Sequence, residues 1–363
     1  MIEIDFECLR TMGLTPALAN RAAAVPHPED ATLHLMRVTE VHRDATRVHD
    51  GRAEHTARAF GRLTRELADA ELALAVGDWV LAAHDAHAQT WVHARVPPLT
   101  HIVRRDADGR RHPVVSNVDT ALLVMGLDDD FNPRRLERYL ALVLSSDVTP
   151  VVVLTKADIV DREPGALEAR IAELDGRLPP QAELLAVDGT EARTAQRLAG
   201  FLDAGQTLVV LGSSGAGKST LTNTLLGVAV QDTGAVREHD SRGKHTTTAR
   251  SLHRLPGGAC IIDTPGLRAL RPDADEAALS ATFGDIERLA MTCRFRDCRH
   301  RDEPGCAVRE GVASDRLRNY HKLLREARRD TLTALERQQQ VSMWKARGRE
   351  ARIRMKAKHH SSG

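Results

Sequence analysis

Lysine is scarce in this chain: 7 of its 51 basic residues are Lys and 44 are Arg. A biased genome explains that ratio as well as nucleic-acid binding does, so composition alone assigns no partner. The scarcity does make every Lys inside a motif informative. Aromatic residues are few at 3%, and the formal net charge is only +1. Five cysteines in 363 residues, three of them crowded into one segment, suggest metal rather than disulfides. No apolar run approaches the roughly 18 residues of a membrane span. The start, Met1 to Arg10 with Asp5 and Glu7, does not read as a signal peptide. A cytoplasmic protein with no membrane partner is the simplest expectation. A chain of this length can hold two or three domains.

Residues 1–30 read as a polar, Ala-rich arm of weak helical character. Residues 31–104 change to short alternating segments, with strands expected at Val38–Val41, Ala57–Leu63, Trp79–Ala83 and Trp91–Val96. Short strands at this spacing suggest a small barrel, of the size of an oligonucleotide-binding fold but also of other small β domains. Residues 112–276 turn α/β. Apolar runs at Ala121–Met125, Val151–Leu154, Leu184–Val187, Leu208–Leu211 and Cys260–Ile262 suit buried parallel strands, and Pro133–Leu144 and Gly165–Leu178 carry helical periodicity. That pattern describes a doubly wound sheet with ligand loops at its strand ends. Residues 277–340 become helical around a Cys/His cluster, and 341–363 form a basic tail.

Gly212-Ser213-Ser214-Gly215-Ala216-Gly217-Lys218-Ser219 fits the phosphate loop G-x-x-x-x-G-K-[ST] between a strand and a helix. Its glycines let backbone amides turn inward around a polyphosphate, and the helix start, with Thr220 in its first turn, adds a positive dipole end. Lys218 is expected to bridge the β- and γ-phosphates, and Ser219 to hold Mg²⁺. Asp263-Thr264-Pro265-Gly266 follows the strand ending at Ile262, where a carboxylate reaches the Mg²⁺ shell through water and the Gly266 amide senses a γ-phosphate. Between them, Gly243-Lys244-His245-Thr246-Thr247-Thr248 reads as a switch. Thr247 or Thr248 would complete the Mg²⁺ shell, although a Thr-rich surface turn has the same composition. Thr155-Lys156-Ala157-Asp158 ends another strand. Asp158 there can accept two hydrogen bonds from the guanine edge, which adenine cannot supply, and the Lys156 stem can cover base and ribose.

Cys293, Cys298, His300 and Cys306 form a Cys₃His set of the kind that closes a tetrahedral structural zinc shell, with no open position for catalysis. Cys8 and Cys260 are left over, and Cys260 reads as a core residue.

The order of the motifs is unusual. The guanine motif precedes the phosphate loop, which precedes the switch threonines and then Asp263–Gly266, so the sheet begins at a different strand from that of ordinary small GTPases. With the barrel before it and the cysteine cluster after it, the chain resembles the circularly permuted ribosome-associated GTPases called RsgA or YjeQ. The resemblance covers nearly the whole length and includes the turn Glu303-Pro304-Gly305-Cys306. It implies an oligonucleotide-binding barrel, a permuted P-loop GTPase domain and a helical zinc-knuckle domain. It further implies maturation of the small ribosomal subunit, contact with its rRNA, and GTP hydrolysis to GDP stimulated by that subunit. Three positions depart from expectation. Thr155 stands where Asn is more usual, Leu185 takes the serine position of a Ser-Ala motif that contacts the base, and Leu267 replaces a water-orienting Gln. Hydrolysis should therefore be slow alone, with His245 the nearest candidate to orient water.

The expected RNA footprint is Arg43, Arg47, Arg52, Arg58, Arg62, Arg104, Arg105, the zinc-region arginines and the tail. A nucleotide switch with a protein partner, or an ATP-dependent kinase or transporter, are the competing classes. No heptad seam is evident, which favours a monomer.

Overall fold

The computed structural model describes residues 1–27, 32–106, 109–160, 164–191, 193–227, 250–265 and 271–330. The chain opens with β1 (Ile2–Glu3) and helices α1 (Phe6–Arg10) and α2 (Pro16–Ala23), capped by Asp5 and Thr15 side chains. Strands β2 (Leu33–Val41), β3 (Thr46–His49), β4 (Glu54–Ala59), β5 (Trp79–His84) and β6 (Thr90–Arg95) then close a barrel in the order β2-β3-β4-β6-β5-β2. All pairs are antiparallel except β4 with β6. This is the five-stranded Greek-key closure of an oligonucleotide-binding barrel. Alternate residues Met36, Val38, Val48, Ala57, Val80, Ala82 and Val92 fill its interior.

Strand β4 is shorter than its composition suggests. It stops at Ala59, and α3 (Gly61–Asp69) begins two residues later, so Leu63 belongs to a helix. Leu63 and Leu67 both close the barrel end. Their four-residue spacing is helical, and the Arg62–Glu66 pair at 2.7 Å follows the same period.

A hairpin of β7 (His101–Arg105) and β8 (Arg111–Ser116) leads into the second domain. There β9 (Thr120–Gly126), β10 (Thr149–Thr155), β11 (Glu183–Ala186), β12 (Thr207–Gly212), β13 (Ser251–Arg254) and β14 (Cys260–Asp263) build a sheet ordered β11-β10-β9-β12-β14-β13. Only β13 runs antiparallel. Its alternating polar residues gave no sequence signal. The sheet is buried on both faces with period two. Leu122, Val124, Val151, Val153, Leu208, Val210 and Ile261 face one core, while Leu123, Val152, Leu154, Val209, Leu211 and Ile262 face the other. Helices α4 (Pro133–Leu144), α5 (Ala157–Val160), α6 (Ala166–Asp175), α7 (Arg193–Arg197) and α8 (Lys218–Leu226) cover these faces.

The N-terminal segment is not a polar arm. Leu9, Met12, Leu14 and Leu18 join the same core as Leu35, Leu81 and Val209, wedged between barrel and sheet. Arg37 from β2 is fully buried at that junction. It donates to the Met12 carbonyl, to Thr207 Oγ1 at 2.9 Å and to the Asn117 carbonyl at 3.0 Å, with its guanidinium 5.4 Å from the Trp79 ring centroid. Gly13 makes room for it: φ is +86°, and a Cβ there would lie 2.2 Å from Arg37 Nη1. Barrel and sheet are also bridged through Ser251 on β13 and Glu40 on β2.

The C-terminal module packs α9 (Glu276–Thr282), α10 (Gly284–Ala290), α11 (Ala307–Gly311) and α12 (Ser314–Asp330) around Phe283, Ile286, Val308 and Leu323. A buried ionic cluster fastens it to α4. Glu137, 1% exposed, accepts from Arg316 at 2.7 Å, Asn319 at 2.6 Å and Arg177 at 3.3 Å, and Arg316 also pairs with Asp285 at 2.6 Å. Removing Glu137 takes one of two carboxylate partners from Arg316 and from Arg177 and the acceptor from Asn319, in a site where Glu137 and Arg316 are nearly fully buried. Glu137→Ala should therefore cost about 3–5 kcal/mol, and Glu137→Gln, which keeps an acceptor, clearly less. Calorimetric unfolding of the two variants checks this, and equal stability of Glu137→Ala and wild type refutes it.

Candidate functional site: a permuted nucleotide cleft and a Cys₃His cluster

The phosphate loop runs from the end of β12 to the start of α8, with Gly217 capping the helix and Lys218 as its first residue. Gly217 has φ +90°, and a Cβ there would lie 3.2 Å from Thr155 Oγ1. The loop is thus closed against the end of β10. Thr155 donates its hydroxyl to the Ala216 carbonyl at 2.6 Å. This joins the base motif to the phosphate loop, so Thr155 supplies a tie between the two loops despite its departure from Asn. Lys156 reaches the same loop, its Nζ donating to the Gly215 carbonyl at 2.8 Å and to Asp128 Oδ2 at 2.6 Å.

Lys218 is 7% exposed, and its Nζ donates to the Ser213 carbonyl at 2.6 Å. Burial pushes its pKa down, opposed by the carboxylates of Asp263 and Asp130. Asp263 is 1% exposed; burial pushes its carboxyl up, and Lys218 opposes that. Its Oδ1 is buried without a hydrogen-bond partner among the described residues. An orphaned carboxylate oxygen beside a lysine at the mouth of a phosphate loop suits a hydrated Mg²⁺. Ser219 lies in the first turn of α8, half-buried, with Thr220 after it. Ser213, Ser214, Gly215 and Ala216 form the turn itself, with Ser214 and Gly215 open to solvent.

Asp158 is exposed at the start of α5, available to an incoming base rather than buried. Beside it, β11 pairs Leu185 with Val153 and Ala186 with Leu154, so the residues after Ala186 flank the base motif. Leu185 itself is 9% exposed and faces the core. The segment is tied to α8 by Thr224 Oγ1, which donates to the Gly189 carbonyl at 2.6 Å. His245, Thr247, Thr248, Gly266, Leu267 and the basic tail lie outside the described residues. The residues that reading the sequence missed are Asp128 and Asp130, in a run of three aspartates after β9 that looks like a solvated turn.

Cys293, Cys298, His300 and Cys306 bring one ligand atom each to within 4.8 Å of all the others. Cys306 Sγ stands 3.4 Å and Cys293 Sγ 3.6 Å from His300 Nδ1, and the two thiols are 3.9 Å apart. A tetrahedral shell with Zn–S bonds near 2.3 Å separates its ligands by roughly 3.5–3.8 Å, close to the spacing of Cys293, His300 and Cys306, and Cys298 lies near enough to complete a shell for one Zn²⁺. The shaping is local. Glu303 accepts from the amides of Arg301, Arg299 and Asp302, which pushes its carboxyl down to about 2 and fixes the loop between His300 and Cys306. Burial lowers the His300 pKa, favouring the neutral ring a metal requires.

A guanine-type loop on β10, a phosphate loop on β12 and an acidic strand end on β14, met in that chain order, define a circularly permuted P-loop GTPase. Two solved structures share the fold: that of YloQ, a circularly permuted GTPase, and that of YjeQ from Thermotoga maritima. Each has a TM-score of 0.55, at 22% and 23% identity, covering 85% and 81% of this chain and 100% and 98% of theirs. The RsgA GTPase family model matches residues 96–272. The small ribosomal subunit biogenesis GTPase RsgA of Xanthomonas oryzae pv. oryzae is 44% identical over 311 residues, 84% of this chain and 82% of its own. The protein of that name from Xanthomonas axonopodis pv. citri is 43% identical over 335 residues, 89% of each chain. The chain belongs to the RsgA GTPase family.

The cluster geometry predicts one zinc per chain by elemental analysis of the purified protein, and none in Cys306→Ser. Retention of a full equivalent by that variant would contradict the assignment.

Proposed function

We propose that this GTPase acts in biogenesis of the small ribosomal subunit, binding its rRNA and leaving when GTP is hydrolysed to GDP and phosphate. The observation that carries the reading is the permuted site joined to a barrel and a Cys₃His module, in a chain 44% identical to relatives named for that role.

In the cleft, Asp158 accepts from the guanine edge and Lys156 lies along the purine. The amides of Gly212 to Ser219 and the Lys218 ammonium hold the phosphates, with Thr220 behind them in the helix. Ser219, Thr247 or Thr248, and Asp263 would hold a Mg²⁺, which would supply charge neutralisation for the phosphates when bound. The Gly266 amide senses the γ-phosphate. With Leu267 in place of a Gln, water is oriented by His245, and turnover waits for the ribosomal partner. The zinc centre of Cys293, Cys298, His300 and Cys306 is structural, holding the loop-rich knuckle between α10 and α11. The protein acts as a monomer in the cytoplasm.

RNA contact rests on an uneven set of arginines. Arg47, Arg52 and Arg62 are engaged by Glu54, Asp5 and Glu66, and Arg105 by Asp273. Arg43 and Arg58 have no ion-pair partner among the described residues, so they carry the barrel's share. Trp79 is fully buried, but Phe60 is 39% exposed and stands 5.1 Å from the Trp91 ring and 4.5 Å from His93. This gives one stacking platform beside Arg58. A cavity of about 540 Å³ beside the zinc cluster, lined by Arg299, Arg301, Tyr320 and His321, adds a second basic surface.

GTP turnover should be slow alone, rise strongly with small ribosomal subunits and stay low with large ones. Stimulation by neither, in zinc-loaded protein that binds GTP, would leave the protein-partner switch as the working account. His245→Ala should bind GTP normally yet lose most of the stimulated rate, on the order of 10²-fold; a wild-type stimulated rate removes His245 from the mechanism.

A further inference from the structure

The loop after β9 carries Asp128, Asp129 and Asp130, and two of these carboxylates reach into the nucleotide cleft. Asp128 Oδ2 accepts from Lys156 Nζ at 2.6 Å, while the same ammonium donates to the Gly215 carbonyl. Lys156 sits at φ +61°, an uncommon conformation for a side chain of this size, and spans from the end of β10 to the phosphate loop. Asp130 Oδ1 accepts from Ser213 Oγ at 2.5 Å and from Arg135, so the loop as a whole is pinned to the cleft.

Asp128 is itself held in place. The Asp130 amide donates to its Oδ1 at 3.3 Å, and Gly126 leaves the space it needs, since a Cβ there would lie 2.4 Å from that oxygen. Burial disfavours the charged carboxylate, but the hydrogen bonds from Lys156 and the Asp130 amide outweigh it and keep the carboxyl below its ordinary value. It is therefore ionised, beside an ammonium, at neutral pH.

We propose that Asp128 is a positioning residue for guanine-nucleotide binding, holding the Lys156 stem across the base site and its ammonium on the phosphate loop. A lysine stem has many rotamers, and fixing them before the nucleotide arrives removes that loss from the binding step. Lys156 in turn screens the phosphates from the Asp128 charge, so each member of the pair matters chiefly when the other is present. The held lysine contacts base and ribose rather than the reacting phosphorus. Its effect falls equally on GTP, GDP and the transition state, appearing in KM and not in kcat. The inference rests on Thr155–Asp158 being the guanine motif.

The test is a double-mutant cycle in the full-length, zinc-loaded protein, read as GDP affinity by titration with a fluorescent guanine nucleotide. Asp128→Ala should weaken GDP about tenfold and raise KM for GTP with kcat unchanged. Asp128→Asn, which keeps an acceptor, should recover part of the loss. In the Lys156→Ala background, Asp128→Ala should cause no further weakening. Wild-type affinity in Asp128→Ala, or an undiminished loss in the Lys156→Ala background, overturns the proposal while leaving the guanine motif standing. Wild-type affinity in Lys156→Ala removes the motif reading and the proposal with it. Should Asp128→Ala not fold, Asp128→Asn carries the same cycle.

Discussion

A hydrogen bond between two loops 61 residues apart, Thr155 Oγ1 to the Ala216 carbonyl at 2.6 Å, sets the spacing on which the nucleotide cleft depends. A purine nucleotide has a nearly fixed span from base edge to phosphates, so the loops that read its two ends need a fixed separation. Their strands, β10 and β12, are not neighbours. Strand β9 lies between them, which places them about 10 Å apart. The loops must therefore converge above the sheet, and Thr155 closes that gap against Gly217, where a Cβ would already crowd it. Threonine at position 155 supplies this tie with a short side chain.

The central strand also explains the third loop. Because β9 ends between the two nucleotide loops, whatever follows it must either block the cleft or become part of its wall. Asp128 and Asp130 take the second course, engaging Lys156 and Ser213, after which Asn132 caps α4 by accepting from the Arg135 amide. Helix α4 then carries Glu137 into the buried cluster with Arg316 and Asn319 of the C-terminal module. The permutation makes β14 the covalent exit from the sheet toward that module, and α4 adds a rigid non-covalent connection. The loop after β9, α4 and the C-terminal module are thus contiguous. Contiguity supplies a route for coupling, and coupling itself is a matter for measured free energies.

Features written in one stretch of sequence were legible from it. The phosphate loop and the Cys₃His spacing each occupy a few residues, and their chemistry dictates the residue types. The buried strands of the sheet announce themselves as short apolar runs, because both faces are covered. What depended on distant contacts was not legible. Leu9, Met12 and Leu18 look like scattered apolar residues in a polar arm until the wedge between barrel and sheet gives them a common face. Leu63 follows a strand-like run in the sequence, and only the fold shows that its partner is Leu67, one helical turn on. Asp128 belongs to a triplet of acids, the composition of a solvated turn, and only the fold brings Lys156 to it across the strand end.

The lysine shortage that opens the sequence has a structural counterpart. Among the described residues, Lys156 and Lys218 stand in this cleft, and both place Nζ on a backbone carbonyl of the phosphate loop, at Gly215 and Ser213. An ammonium is a compact point charge with three rotatable donors, able to meet a carbonyl within a tight turn and still face a phosphate or carboxylate. A guanidinium is a broad planar fork; at Lys218, which is 7% exposed, it would need room that the loop does not have. Elsewhere the chain uses arginine where a planar, multidentate cation fits: Arg95 on both oxygens of Asp78, Arg316 between Glu137 and Asp285, Arg37 across three acceptors. Whatever drives the general excess of arginine, the geometry of a phosphate loop sets a limit to it at these two positions.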